Sequence, residues 1–267
     1  RSTLFPYTTL FRSPYSVAAI SAAAKQGEPA LVAFLTAGHP RRESFREHVT
    51  AIASAADVVE IGVPFSDPMA DGVTIQGSSR AALEQGVTLR WILAELAAMP
   101  RVRAPLVLMS YLNPLLAFGY DALAAAAKDA GVCGFIVPDL PFDEGEDLRG
   151  SLTGQGLALV QMVTPVTTPE RRRAVCARSE GFVYAVTSTG TTGRRSALPD
   201  DIRAYLSAVR AASRVPVCAG FGIRTREHVA LLRGQVDGVI VGSALVEVLG
   251  SGADPAAWLR GLRAGGA

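Results

Sequence analysis

Cysteine is scarce in this sequence, and long apolar runs are absent. The 267 residues include three cysteines, Cys133, Cys176 and Cys218, which lie far apart and form no CxxC pair. This usage predicts reduced thiols in a cytoplasmic protein, without a disulfide framework or a structural zinc site. No apolar run approaches the roughly 18 residues that a membrane-spanning helix needs.

The sequence also lacks an excess of charge of either sign, since its formal net charge is only +2. The longest basic run is Arg171 to Arg173, and it follows Thr168-Pro169-Glu170, a typical helix start with an N-cap and an acidic first turn. This run is interpreted as a solvated helix face, and the alternative is a patch that binds phosphate or nucleic acid. Basic and aromatic residues do not alternate as they do in proteins that bind single-stranded nucleic acid.

The first thirteen residues, RSTLFPYTTLFRS, differ in texture from the Ala-rich sequence that starts near Tyr15. They lack the apolar core and small-residue cleavage site of a signal peptide. They resemble translated sequencing-adapter sequence. We therefore expect residues 1–13 to be a non-native segment and residues 14–267 to form a single domain.

Short β-rich runs alternate with Ala- and Leu-rich helical stretches through the rest of the chain. The strands are predicted at 31–36, 58–63, 106–111, 134–139, 158–164, 182–188, 215–222 and 238–244, and the helices at 42–56, 73–85, 89–99, 114–130, 169–179, 199–212 and 226–233. Nearly continuous apolar strands indicate a parallel sheet covered on both faces. About eight strand–helix units predict an α/β fold, a (β/α)8 TIM barrel with extra helices.

An open, doubly wound sheet is the alternative fold. Such a fold usually carries a Gly-rich turn after its first strand, with an acidic residue about 20 positions later. Here the first strand ends in TAGHP, so this fingerprint is absent.

The stretch VEIGVPFSDPMADG contains three carboxylates at the end of the second predicted strand. Glu60 interrupts an apolar run, whereas Asp67 and Asp71 follow in the loop. Catalytic groups of a barrel lie at the C-terminal ends of its strands. Glu60 is therefore either a carboxylate tied down by backbone donors or a general acid/base whose pKa is raised by burial.

Other strand ends also carry polar groups or glycine. Tyr184 lies on the sixth strand, and GFG and GSA follow the seventh and eighth, where phosphate-binding barrels hold their anion. Gly222, Gly242 and Ser243 have the required types and order, and Gly193 could add an N–H group. The Gly-rich loop 187–196 is a candidate lid over the substrate.

The motif around Glu60 resembles the signature of the tryptophan synthase alpha chain. The resemblance extends from about residue 15 over nearly the whole chain, through AFLTAGHP, SYLNP, PDLP, STGTTG, AGFGI and the GSA ending. It implies a lyase that cleaves indole-3-glycerol phosphate to indole and glyceraldehyde 3-phosphate, without a cofactor or metal. It also implies a pyridoxal-phosphate-bearing beta chain as partner, in an alpha2beta2 heterotetramer.

The resemblance assigns roles residue by residue. Glu60 and Asp71 match the catalytic pair. The substrate-binding matches are Phe34 and Phe221 beside the indole, Tyr184 on strand six, Thr192 in the lid, and Gly193, Gly222, Gly242 and Ser243 around the phosphate. The N-terminus departs from the family pattern, which puts the helix that closes the barrel bottom in doubt.

Two other functions remain to be weighed. A phosphoribosyl isomerase usually has acidic residues at the ends of strands one and five, where this chain has Thr36-Ala37-Gly38 and Thr164-Pro165. A subunit that only activates its partner would not need both Glu60 and Asp71.

Overall fold

Eight parallel strands close into a barrel in chain order, in a computed structural model that describes residues 14–25, 27–187, 200–220 and 222–263. The strands are β1 (Ala30–Thr36), β2 (Val58–Gly62), β3 (Leu106–Met109), β4 (Val132–Ile136), β5 (Ala158–Val163), β6 (Val183–Val186), β7 (Val217–Gly220) and β8 (Gly238–Val241). Strand β8 pairs with β1, so the sheet has no free edge. The predicted (β/α)8 TIM barrel is confirmed.

Helices follow every strand and form the outer layer, and one further helix, α1, precedes the first strand. They are α1 (Pro14–Lys25), α2 (Phe45–Ala53), α3 (Val73–Glu84), α4 (Leu89–Ala98), α5 (Leu112–Phe118), α6 (Tyr120–Asp129), α7 (Glu146–Gly154), α8 (Pro169–Arg178), α9 (Asp200–Ala212), α10 (Arg226–Leu232), α11 (Ser243–Gly250) and α12 (Pro255–Gly261). None of those in the described ranges is long and apolar enough to cross a bilayer.

The core has two layers because successive side chains of a strand point to opposite faces. One cluster fills the barrel interior, and the larger one lies between the strands and the helices. In β2, Val58 belongs to the interior cluster, whereas Val59 and Ile61 belong to the outer one. By the same alternation, Glu60 points into the barrel.

Helix α1 closes the bottom of the barrel. Ile20 is fully buried, and both Ile20 and Ala23 belong to the interior cluster. The doubt that the unusual N-terminus raised about this helix is thereby removed for residues from Pro14 onward. Residues 1–13 lie outside the described ranges.

At the bottom of the barrel, acidic side chains accept hydrogen bonds from backbone amides at the starts of strands. The Oδ2 atom of Asp57, just before β2, accepts hydrogen bonds of 2.8 Å from the Leu31 amide and from Arg263. Asp237 binds the Val217 amide in the same way, at 2.8 Å. These carboxylates satisfy strand-end amides that no sheet partner reaches.

Some predicted boundaries were wrong, for local reasons. The predicted helix at 114–130 is two helices, because Gly119 adopts a φ of 87°, which ends α5. The predicted strand at 238–244 ends at Val241, since Gly242 is the N-cap of α11. Helix α12 was not predicted, although Asp254 caps its first amides in an Asp-Pro start.

Candidate active site

Glu60 lies inside the barrel near the C-terminal end of β2. It pairs in register with Phe34 of β1 and Val107 of β3. Its side chain is only 1% exposed, and its Oε2 atom has no hydrogen-bond partner among the described residues. Because no described residue donates to Oε2, the structure offers no donor there to hold Glu60 as a buried anion, which favours the acid/base interpretation.

Burial raises the pKa of Glu60 from 4.5 to about 8, and the negative charge of Asp71 contributes to the same rise. Both effects penalise the ionised carboxylate. Glu60 is therefore mostly protonated at neutral pH. It can give up a proton and then take one back within the ordinary working range.

Asp71 lies in the loop between β2 and α3 and is half-buried. The Tyr111 hydroxyl donates a 3.0 Å hydrogen bond to its Oδ2 atom and accepts one of 2.9 Å from the Ala70 amide. Burial raises the pKa of Asp71, and the Tyr111 bond lowers it in part. The Tyr111 hydroxyl therefore restrains the orientation of the Asp71 carboxylate.

Tyr111 is the residue of this site that sequence reasoning missed. It is buried, it stacks on Phe65 with ring centroids 5.0 Å apart, and it is the N-cap residue of α5. Burial and the charge of Asp71 raise the pKa of its hydroxyl above the ordinary value, so the hydroxyl stays a donor. The SYLNP motif that contains Tyr111 was visible in the sequence, but nothing in the sequence paired this tyrosine with Asp71.

Tyr184 reaches the same interior from β6, across from Cys218 of β7. Its ring lies over Gly220, where a Cβ atom would come within 3.0 Å of the Tyr184 hydroxyl oxygen. Burial, Glu60 and Asp71 all raise its pKa well above 10. Glu60, Asp71 and Tyr184 are therefore close enough for their charges to influence one another.

Phe34 forms the wall of the site on β1 and is buried. Its ring lies over Gly62, where a Cβ atom would be only 2.5 Å from Cζ of the ring. Glycine at the end of β2 therefore makes room for an aromatic wall directly above Glu60. An apolar, flat substrate group would fit against this face.

Gly222, Gly242 and Ser243 lie on the β7–β8 side of the barrel mouth. Gly222 has a φ of 61°, a region that glycine adopts without strain. Gly242 and Ser243 begin α11, whose first amides have no intrahelical acceptor. The helix dipole and these amides together favour an anion.

Three predicted site residues, Thr192, Gly193 and Phe221, lie outside the described ranges, as does most of the candidate lid. Within those ranges, no three His, Cys, Asp or Glu side chains are grouped so as to hold a metal ion.

A closed parallel barrel with a buried glutamate near the C-terminal end of its second strand defines a class of protein. The chain is a TIM-barrel enzyme. More particularly, it belongs to the tryptophan synthase alpha chain family, whose model matches residues 20–259. This family forms the subunit that cleaves indole-3-glycerol phosphate in tryptophan biosynthesis, and the chain is accordingly a lyase.

Curated relatives support the assignment over most of the chain. The tryptophan synthase alpha chain of Nitratidesulfovibrio vulgaris (strain DP4) is 46% identical over 236 residues, which cover 88% of this chain and 92% of the relative. That of Carboxydothermus hydrogenoformans is 43% identical over 226 residues, covering 84% and 85%.

Solved structures agree with this. A tryptophan synthase structure from M. tuberculosis superposes with a TM-score of 0.84 at 36% identity, covering 92% of this chain and 95% of the other. The alpha subunit from Legionella pneumophila gives a TM-score of 0.83 at 30% identity, with coverages of 93% and 97%.

Proposed function

We propose that Glu60 and Asp71 carry the cleavage of indole-3-glycerol phosphate, and that the phosphate is held between the β7 loop and α11. The observation that carries this proposal is the environment of Glu60. Glu60 is almost fully buried, its Oε2 atom has no hydrogen-bond partner among the described residues, and its pKa is about 8. The charge of Asp71 acts on Glu60, and the charges of both carboxylates act on Tyr184.

The reaction is a retro-aldol cleavage that needs an electron sink in the indole ring. Protonated Glu60 gives its proton to ring carbon C3, which leaves a cationic indolenine. Asp71 accepts a hydrogen bond from the ring N–H and stabilises the positive charge as it develops. The raised pKa of Glu60 supports the first step, because the acid form is present at neutral pH.

The bond between C3 and the glycerol chain then breaks. Its electron pair returns to the ring and restores indole, while the hydroxyl on the neighbouring chain carbon loses its proton and becomes the aldehyde. Glu60, now ionised, takes that proton and is ready for the next turnover. The proton balance closes on one residue, so the cleavage needs no cofactor.

Substrate positioning is assigned to the walls of the mouth. Phe34 and Tyr184 would contact the indole ring, and Gly222, Gly242 and Ser243 would bind the phosphate through amide and hydroxyl donors. These last three residues are called the phosphate cradle below. By sequence position, Thr192, Gly193 and Phe221 would complete the enclosure.

Glu60→Gln tests the catalytic assignment, because it removes proton transfer but keeps the shape of the side chain. The variant should lose about 10²–10⁴-fold or more in cleavage rate, since one group serves two steps. Binding of the substrate should change little. A variant that keeps more than about a tenth of wild-type turnover would disprove the role of Glu60.

The finer proposal concerns the beta chain. Met69, Val73, Leu116 and Val166 are apolar and between 53% and 92% exposed, and all lie in segments that follow strand C-termini. Exposed apolar side chains collected at one face support a protein interface there. We propose that a beta chain docks on this face, as an alpha2beta2 heterotetramer.

Asp67 offers the test of this docking. It is exposed, its carboxylate accepts a hydrogen bond from the Ser66 hydroxyl, and it contributes nothing to the chemistry above. Adding beta chain should raise cleavage by about tenfold or more. Asp67→Ala should weaken this activation and leave the basal rate unchanged. If the activation curves of wild type and Asp67→Ala superimpose, the role of Asp67 is refuted. If the beta chain does not activate the wild-type protein, the proposed partner is refuted.

We further propose a cytoplasmic location for the enzyme. The free thiols of Cys133, Cys176 and Cys218 are consistent with a reducing compartment.

A further inference from the structure

An ion pair joins the two halves of the phosphate cradle at the outer edge of the barrel mouth. Arg224 follows Gly222 by two residues, and Glu247 lies in α11, four residues after Ser243. The Arg224 guanidinium contacts both carboxylate oxygens of Glu247, with Nη1–Oε2 of 2.6 Å and Nη2–Oε1 of 2.9 Å.

The helix period puts this pair directly next to the cradle. Residues four apart in a helix lie on the same face, with Cβ atoms about 5–6 Å apart. Glu247 is therefore one turn behind Ser243, on the helix that begins at Gly242. Since Arg224 belongs to the β7 loop, the pair connects the loop half of the cradle to the helix half.

A third contact extends the connection to the catalytic loop. The Thr74 hydroxyl donates to Oε1 of Glu247 at 3.4 Å. Thr74 lies in the first turn of α3, three residues after Asp71. Glu247 is thus the one side chain, among the described residues, that contacts both Arg224 and the start of α3.

The geometry matters more here than the strength of the pair. Each partner is nearly half exposed, and exposed ion pairs contribute little to stability. A two-pronged guanidinium–carboxylate contact nevertheless fixes direction as well as distance. The loop that it restrains contains Gly222, and a glycine, which has no Cβ atom, restricts its own backbone less than any other residue.

We propose that Glu247 is a positioning residue for substrate phosphate. Through Arg224, it holds the β7 loop at the distance from α11 that lets both halves donate to one phosphate group. This inference rests on the phosphate cradle proposed above.

Steady-state kinetics on Glu247→Gln test the inference. KM for indole-3-glycerol phosphate should rise about three- to fivefold, because less of the protein has the cradle assembled. kcat at saturating substrate should stay within about twofold, since Glu247 touches no reacting atom. The Kd of glycerol 3-phosphate should rise in parallel with KM, and the Kd of indole should not change.

A charge exchange tests whether the pair itself is responsible. Arg224→Glu alone should raise KM at least as much as Glu247→Gln, because two carboxylates then face each other. The double variant Arg224→Glu with Glu247→Arg restores opposite charges and should return KM to within about twofold of wild type.

The matched control is Glu28→Gln at the opposite end of the barrel. Glu28 pairs with Arg233 at 2.8 Å, and its substitution should leave KM unchanged. Equal KM values for Glu247→Gln and Glu28→Gln would overturn the inference. It would also be overturned if Glu247→Gln weakened the binding of indole as much as that of glycerol 3-phosphate.

Gly242→Asp separates the proposed role of Glu247 from the proposed phosphate cradle. If it does not weaken glycerol 3-phosphate binding, the cradle itself is wrong. If it does and Glu247→Gln does not, only the role of Glu247 fails.

Discussion

Glu60→Gln should make the protein more stable at alkaline pH while it abolishes catalysis. The fold keeps Glu60 almost fully buried and raises its pKa to about 8, against 4.5 for an ordinary glutamate. Unfolding releases the side chain into water, where it ionises freely. The native state therefore binds more protons than the unfolded state between these two pKa values, and its stability falls as pH rises through that window.

The magnitude follows from the difference between the two pKa values, which is about 3.5. At about 1.4 kcal/mol for each unit, ionisable Glu60 destabilises the native state by on the order of 5 kcal/mol above pH 8. Near pH 7 the penalty is about 3 kcal/mol, and below pH 4.5 it disappears. Glutamine has the same shape but no charge, so the variant escapes the pH-dependent part of this cost.

The assay is urea unfolding of both proteins at pH 4, 7 and 9, followed by circular dichroism. The free energies of unfolding should differ little at pH 4, and the variant should gain on wild type as pH rises. Glu84→Gln, at an exposed position on α3, is the control and should follow wild type at every pH. If the Glu60→Gln difference is the same at pH 4 and pH 9, the carboxyl is not held protonated by burial.

Three further substitutions test the surroundings of the site and the bottom of the barrel. Tyr111→Phe removes the hydrogen bond that lowers the pKa of Asp71. The value of kcat should therefore fall about tenfold, which corresponds to about 1.4 kcal/mol, and the acid limb of the pH profile of kcat should move to higher pH. An acid limb that does not move would contradict this contact. Gly62→Ala should weaken indole binding about tenfold and change the affinity for glycerol 3-phosphate little. The reason is that the added methyl group displaces the Phe34 ring, at a cost of roughly 1–3 kcal/mol. An unchanged affinity for indole would refute this packing. Asp57→Asn removes a charged hydrogen-bond acceptor at the barrel bottom. The free energy of unfolding measured in urea should fall by about 1–3 kcal/mol, and kcat should not change. A fall of less than about 0.5 kcal/mol would show that neighbouring groups replace this acceptor.

The sequence by itself determined the architecture and the main chemical groups. Continuous apolar strands separated by helical segments are a local signal, and a closed parallel barrel is the fold that buries eight of them. Glu60 was visible because a charge inside an apolar run is costly, and the glycines near strand ends seven and eight were visible by type and order. The family resemblance rested on the same motifs.

Other features depended on tertiary contacts between residues far apart in the chain. Tyr111 orients Asp71 across 40 residues, and Arg224 reaches Glu247 across 23. The pKa of Glu60 is set by how completely the closed barrel removes water, which no local pattern measures. Residue type and spacing are properties of the chain, but distance and desolvation arise only when distant segments pack together.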